Sequence, residues 1–161
     1  LHFCFIRSRS REHVQFHYPK NLIKYMLTGK SILLLEDDIV DVMTIKRAIK
    51  QLNISNELIV NENGEQGLDY LNQCTELPGL IFLDLNMPKM NGIDFLGAIK
   101  PNKKWAQIPI VVLTTSKNEH DELAAFSKGV SGYMIKPVDY AQFKDMIEII
   151  IKYWNLSEHS Y

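Results

Sequence analysis

The chain has 161 residues, a formal net charge of −1 and 46% hydrophobic residues, which suits one domain with a buried core. Residues 1–25 carry Arg7, Arg9, Arg11, Lys20 and Lys24 against Glu12 alone, net +4, while the remainder holds 13 basic against 18 acidic residues, net −5. An acidic body argues against direct nucleic-acid binding, no apolar run is long enough for a bilayer, and Cys4 and Cys74 have neither metal-ligand nor redox spacing, so a cytoplasmic protein with reduced thiols and no membrane partner is expected.

Residues 1–29 show no sustained period and hold three of the five histidines, His2, His13 and His17. They read as an N-terminal extension, expected to be disordered or a non-native start. His13 and His17 lack the glutamate and the third ligand of a zinc site, and Thr28-Gly29-Lys30-Ser31 lacks the upstream glycine of a phosphate-binding loop.

Residues 30–154 alternate short apolar runs with helical patterns. The predicted strands are Ile32–Leu35, Leu58–Val60, Leu80–Leu83, Ile110–Leu113 and Tyr133–Ile135. Continuous runs such as Ile32-Leu-Leu-Leu35 suit strands covered on both faces, as in a parallel sheet. Val42, Ile45, Ile49 and Leu52 recur at helical spacing, as do Phe143, Ile147, Ile150 and Trp154. Ser116 with Glu119, and Asp139 with Gln142, have capping-box spacing, and Gly129 reads as a helix stop. Tyr153 and Trp154 are expected at the surface, covering a domain edge or forming a dimer contact. Residues 155–161 read as a short tail. Five β–α units in this length predict an α/β fold, a doubly wound five-stranded parallel sheet of flavodoxin-like type, with ligands at the carboxyl edge.

Polar side chains fall at that edge. Glu36, Asp37 and Asp38 follow the first strand, Asp84 the third, Thr114 the fourth and Lys136 the fifth. Three carboxylates from Glu36, Asp37 and Asp84 within a few ångströms would repel and raise one another's pKa values, unless a cation intervenes. Hard oxygen ligands with little caging favour Mg²⁺. Lys136 suits a phosphoryl oxygen as a point charge, and Thr114 offers a hydroxyl donor. Together they describe a phosphoryl-transfer site with a carboxylate nucleophile.

Ile32-Leu-Leu-Leu-Glu-Asp-Asp38, Ile81-Phe-Leu-Asp-Leu-Asn-Met-Pro-Lys-Met-Asn-Gly92, Val111-Val-Leu-Thr-Thr-Ser116 and Gly132-Tyr-Met-Ile-Lys-Pro137 resemble the signature blocks of the bacterial response-regulator receiver family, in order and at family spacing. The resemblance implies strand order 2-1-3-4-5 and a phosphoacceptor at Asp84, charged by a sensor histidine kinase or phosphotransfer protein. It implies Mg²⁺ held by Glu36, Asp37, Asp84 and the main-chain carbonyl of Asn86. It further implies a phosphoryl-pairing Lys136, a switch pair in Thr114 and Tyr133, and a cis Lys136–Pro137 bond. Output is expected from the face of the fourth helix, fifth strand and fifth helix, by protein contact that includes a homodimer, and without turnover of an external substrate. The aspartate that a haloacid-dehalogenase-type phosphatase needs two residues after its nucleophile is here Asn86.

A narrower resemblance, carried by Glu36-Asp-Asp38, Leu113-Thr-Thr-Ser116, Lys136-Pro-Val-Asp-Tyr-Ala-Gln-Phe143 and Tyr153-Trp154, is to small stand-alone receivers that partner bacterial phytochromes. Met26-Leu-Thr-Gly-Lys-Ser-Ile32 is similar to the opening of such receivers, so residues 1–25 are expected to come from a start assigned too far upstream.

Overall fold

The structure is a computed structural model and describes residues 29–156, so the readings of residues 1–28 lie outside the described residues. Five strands, β1 (Ile32–Leu35), β2 (Leu58–Asn61), β3 (Leu80–Leu83), β4 (Ile110–Thr114) and β5 (Gly132–Ile135), pair in parallel in the order β2-β1-β3-β4-β5. Helices α1 (Ile39–Gln51), α2 (Gly64–Gln73), α3 (Gly92–Ile99), α4 (Glu119–Ser127) and α5 (Tyr140–Leu156) alternate with them, and Trp105–Gln107 forms a 3₁₀ turn before β4. This is the doubly wound parallel sheet and strand order that the sequence predicted.

The apolar runs divide by parity, because successive side chains of a strand point to opposite faces. Ile32, Leu34, Leu80, Phe82, Val111 and Leu113 pack with Val42, Ile45, Ala48 and Ile49 of α1 and with Phe143, Ile147, Ile150 and Ile151 of α5. Leu33, Leu35, Ile81, Leu83, Ile110 and Val112 pack on the other face with Leu71 of α2, Phe95, Leu96 and Ile99 of α3, and Ala125 of α4. The edge strands β2 and β5 are only partly buried, whereas β1, β3 and β4 are buried throughout. The core is thus anchored on three central strands, and their carboxyl ends are held rigidly at one edge.

Helix ends follow local chemistry. Asp38 caps α1, its carboxylate accepting the Val40 and Asp41 amides, and Asp139 accepts the Gln142 amide at 2.9 Å as its spacing predicted. Gly129 follows the last turn of α4 with φ +84°, a left-handed conformation open to glycine and strained for most residues.

Three expectations are corrected. Asn118, not Ser116, caps α4, because two further residues of extended chain precede the first helical turn, and the Ser116 hydroxyl instead donates to Asp121 at 2.7 Å. Trp154 is buried against the α1/α5 core while Tyr153 is exposed, since neighbours on a helix point about 100° apart. The Lys136–Pro137 bond is trans: no cis peptide occurs among the described residues. The trans preference before proline is only about 0.5–1 kcal/mol, so the residue pair alone does not dictate the isomer.

Candidate phosphoryl-transfer site

The register of the sheet lines up the strand ends. Leu35 of β1 is level with Leu83 of β3, so Glu36 and Asp84 leave the sheet side by side, and the Asp84 amide donates to the Leu35 carbonyl at 2.9 Å. Thr114 is level with Ile135, and the Lys136 amide donates to the Thr114 carbonyl at 2.8 Å. Strand packing, rather than loop conformation, therefore positions all four groups.

Carboxylate oxygens of Glu36, Asp37 and Asp84 lie within 4.8 Å of one another. Glu36 and Asp84 are buried, and Asp37 is exposed at the mouth. Lys136 crosses from the last strand to this cluster with a side chain only 6% exposed. Its ammonium stands 2.5 Å from Glu36 Oε2, 2.6 Å from Asp41 Oδ2 and 3.4 Å from Asp84 Oδ1. Glu36 Oε1 accepts the Asp38 amide at 3.1 Å, and Asp84 Oδ2 accepts the Asn86 amide at 2.7 Å. Gly92 lets the β3–α3 loop close beside the end of β3, because a Cβ there would lie 2.5 Å from the Asp84 carbonyl oxygen.

Burial pushes the Glu36 carboxyl up to about 7, although Lys136 pulls against it and the Asp84 charge adds to the rise. Burial disfavours the Lys136 charge too, but the contacts with Asp41 and Glu36 outweigh it and hold the ammonium above its ordinary value. A buried acid raised to neutrality, with two further carboxylates beside it and only hard oxygen donors, fits a divalent cation. The acidic cluster can hold a metal ion.

Thr114 is fully buried, and its hydroxyl oxygen accepts the Ser116 amide at 3.2 Å. The Tyr133 hydroxyl donates to the Ser116 carbonyl at 3.4 Å, and its ring sits 6.4 Å from that of Phe126. The two predicted switch residues are thereby tied to the same loop residue. Asn86 is exposed, two residues beyond Asp84.

A family profile described as the response regulator receiver domain matches residues 32–148. The chain belongs to the response regulator receiver family. Relatives of this receiver include the probable methanogenesis regulatory protein FilR2 of Methanothrix harundinacea, 37% identical over 127 residues, covering 76% of this chain and 82% of that protein. Response regulator Rcp1 of Synechocystis sp. is 37% identical over 130 residues, covering 78% and 88%. Its Mn²⁺-bound crystal structure superposes with TM-score 0.74 at 34% identity, over 83% of this chain and 99% of that one. The phosphorylated cyanobacterial phytochrome response regulator RcpA superposes with TM-score 0.75 at 31% identity, over 81% and 96%. The likeness to small phytochrome-associated response regulators predicted from the sequence is therefore present in both sequence and structure. Among the described residues no helix is long and apolar enough to cross a membrane.

One member of this receiver's site escaped the sequence reading. Asp41 stands in the first turn of α1 and shares the Lys136 ammonium with Glu36. The available signal was its spacing, three residues beyond the capping Asp38, which puts it in the first turn of the helix that leaves the carboxyl edge of the sheet.

Proposed function

We propose that Asp84 accepts a phosphoryl group from a phosphohistidine of a sensor histidine kinase or phosphotransfer protein, in an Mg²⁺-dependent transfer. The observation that carries this reading is the Lys136 ammonium 3.4 Å from Asp84 Oδ1, with Glu36 and Asp37 completing an acidic rim. A carboxylate oxygen of Asp84 forms the new O–P bond as the N–P bond of phosphohistidine breaks. The bonding pair returns to the imidazole nitrogen of the donor. Lys136 balances charge on the equatorial oxygens of the group in flight. Glu36, Asp37, Asp84 and the main-chain carbonyl of Asn86 are the groups that would hold Mg²⁺, which supplies further neutralisation of phosphoryl charge when bound.

Once Asp84 is phosphorylated, Thr114 turns its hydroxyl toward the new oxygens and gives up the Ser116 amide, and Tyr133 moves into the space released. The short hydrogen-bonded path through Ser116 supports this coupling. Only Ala125 of α4 is buried, so this helix is lightly anchored and suited to shift. Leu123 and Phe126 of α4, Ile135 of β5, and Ile149 and Tyr153 of α5 are exposed apolar side chains of the three elements that make up the α4–β5–α5 face. That face is the proposed output surface, for a protein partner or a second copy of the chain, in a cytoplasmic phosphorelay of the kind served by phytochrome-associated receivers.

The test is incubation with a small phosphodonor with and without Mg²⁺, followed by intact mass. One phosphoryl addition that requires Mg²⁺ and is lost in Asp84→Asn is expected. Full labelling of that variant would place the acceptor elsewhere.

A further inference from the structure

A fourth carboxylate, that of Asp41, contacts the lysine. Asp38 Oδ1 accepts the amides of Val40 at 2.7 Å and Asp41 at 3.3 Å, which pins the first turn of α1. From that turn Asp41 Oδ2 reaches the Lys136 ammonium at 2.6 Å, as close as Glu36 Oε2 at 2.5 Å on the other side. An ammonium has three protons to give, and two are engaged by these carboxylates. Asp84 Oδ1, at 3.4 Å, is beyond the roughly 2.7–2.9 Å of a charge-assisted hydrogen bond. The other Asp84 oxygen is already taken by the Asn86 amide at 2.7 Å. Oδ1 is thus paired with a cation across 3.4 Å and not hydrogen-bonded to it.

We propose that Asp41 is a positioning residue which, acting through Lys136, holds the ammonium short of Asp84 and so keeps Asp84 Oδ1 uncommitted for bond formation with phosphorus. The inference rests on the reading of Asp84 as the phosphoryl acceptor. A carboxylate oxygen locked in a direct ion pair must loosen a strong hydrogen bond while it attacks, which raises the barrier. A lysine held a fraction of an ångström away avoids that cost, yet remains close enough to meet a phosphoryl oxygen as the new bond forms. Asp41 is the replaceable tether of the two: its side chain is 35% exposed, whereas Glu36 is 3% exposed and belongs to the acidic cluster itself. Without Asp41, the ammonium has Glu36 and Asp84 as its remaining partners and is drawn onto Asp84.

The experiment uses the full chain with phosphoramidate at saturating Mg²⁺, following uptake by intact mass. In that reaction an O–P bond forms as the P–N bond breaks and ammonia leaves. Asp41→Asn should lower the maximal rate about tenfold, equivalent to about 1.4 kcal/mol, with the half-saturating donor concentration unchanged. Asp41→Glu should recover most of the loss. In a Lys136→Met background, Asp41→Asn should change nothing further, because the effect passes through the lysine. A crystal structure of Asp41→Asn should show Lys136 Nζ within about 2.9 Å of Asp84 Oδ1. Equal slowing in both backgrounds, unchanged or faster uptake in Asp41→Asn, or a lysine that stays in place would each overturn the role of Asp41. A wild-type chain that takes up no phosphoryl group overturns the acceptor reading along with it. Normal wild-type uptake that ignores Asp41→Asn removes only the positioning role.

Discussion

The Lys136 ammonium lies 2.5 Å from the Glu36 carboxylate although one hundred residues separate them in the chain. One follows the last strand and the other the first, and the sheet order carries them to a common edge. Their contact is buried, so neither charge is tolerable there without the other or a substitute for it. Most of the behaviour expected of this site follows from that dependence.

Lys136→Met removes the cation and leaves Glu36 and Asp84 facing each other out of water. At pH 8 in the presence of a chelator the variant should lose about 3 kcal/mol of stability, read from urea unfolding midpoints. At pH 5.5, where Glu36 carries a proton, the loss should be smaller. An equal loss at both pH values would trace it to packing and not to charge.

Glu36 gives the metal-free protein a pH dependence of its own. Its carboxyl is raised from 4.5 to about 7 by burial, so between these values the folded state binds more protons than the unfolded one. Stability from this group is complete below about pH 4.5 and is lost as pH rises through about 7. The difference between wild type and Glu36→Gln, measured by denaturant titration in chelator from pH 4.5 to 8, isolates the effect. Parallel curves for the two proteins would show that Glu36 keeps its ordinary value.

Mg²⁺ should stabilise the folded chain, because the three carboxylates come together only in the native sheet. At one hundred times the dissociation constant the gain is about 2.7 kcal/mol, visible as a rise in melting temperature. Asp37 is exposed, so Asp37→Ala should fold normally and yet lose most of this gain. A variant that responds to Mg²⁺ as the wild type does would remove Asp37 from the ligand set.

Gly92→Ala tests the geometry behind Asp84. The added Cβ would meet the Asp84 carbonyl oxygen at 2.5 Å and the Leu85 Cα at 2.9 Å, and both are backbone that cannot swing aside. A loss of about 1–3 kcal/mol is expected, together with slower phosphoryl uptake because the shifted loop carries Asp84 with it. Unchanged stability and uptake would mean that the loop is free to relax.

Much of the architecture was legible from local pattern. Four-residue apolar runs at β1 and β3 marked strands covered on both faces, and the bounds of both came out as predicted. The capping spacing of Asp139 and the stop at Gly129 were equally local, because each depends on backbone groups within a few residues. Local reading failed where two solutions of similar energy compete. Ser116 had cap spacing, but Asn118 stands nearer the first turn and took that role, leaving the serine hydroxyl to Asp121. Trp154 carries the apolar spacing of the α5 stripe and sits with it in the core.

The site divides along the same line. Acids after β1 and β3, a hydroxyl at the end of β4 and a lysine after β5 are facts of the chain, and a parallel sheet brings strand ends to one edge whatever the details. What the chain alone left open is how the ammonium is shared. That depends on distances of a few tenths of an ångström among Glu36, Asp41 and Asp84, set by sheet register and by the start of α1. Residue type and spacing determine which charges meet; only the packed fold decides which of them touch, because electrostatic and hydrogen-bond energies change steeply over that range.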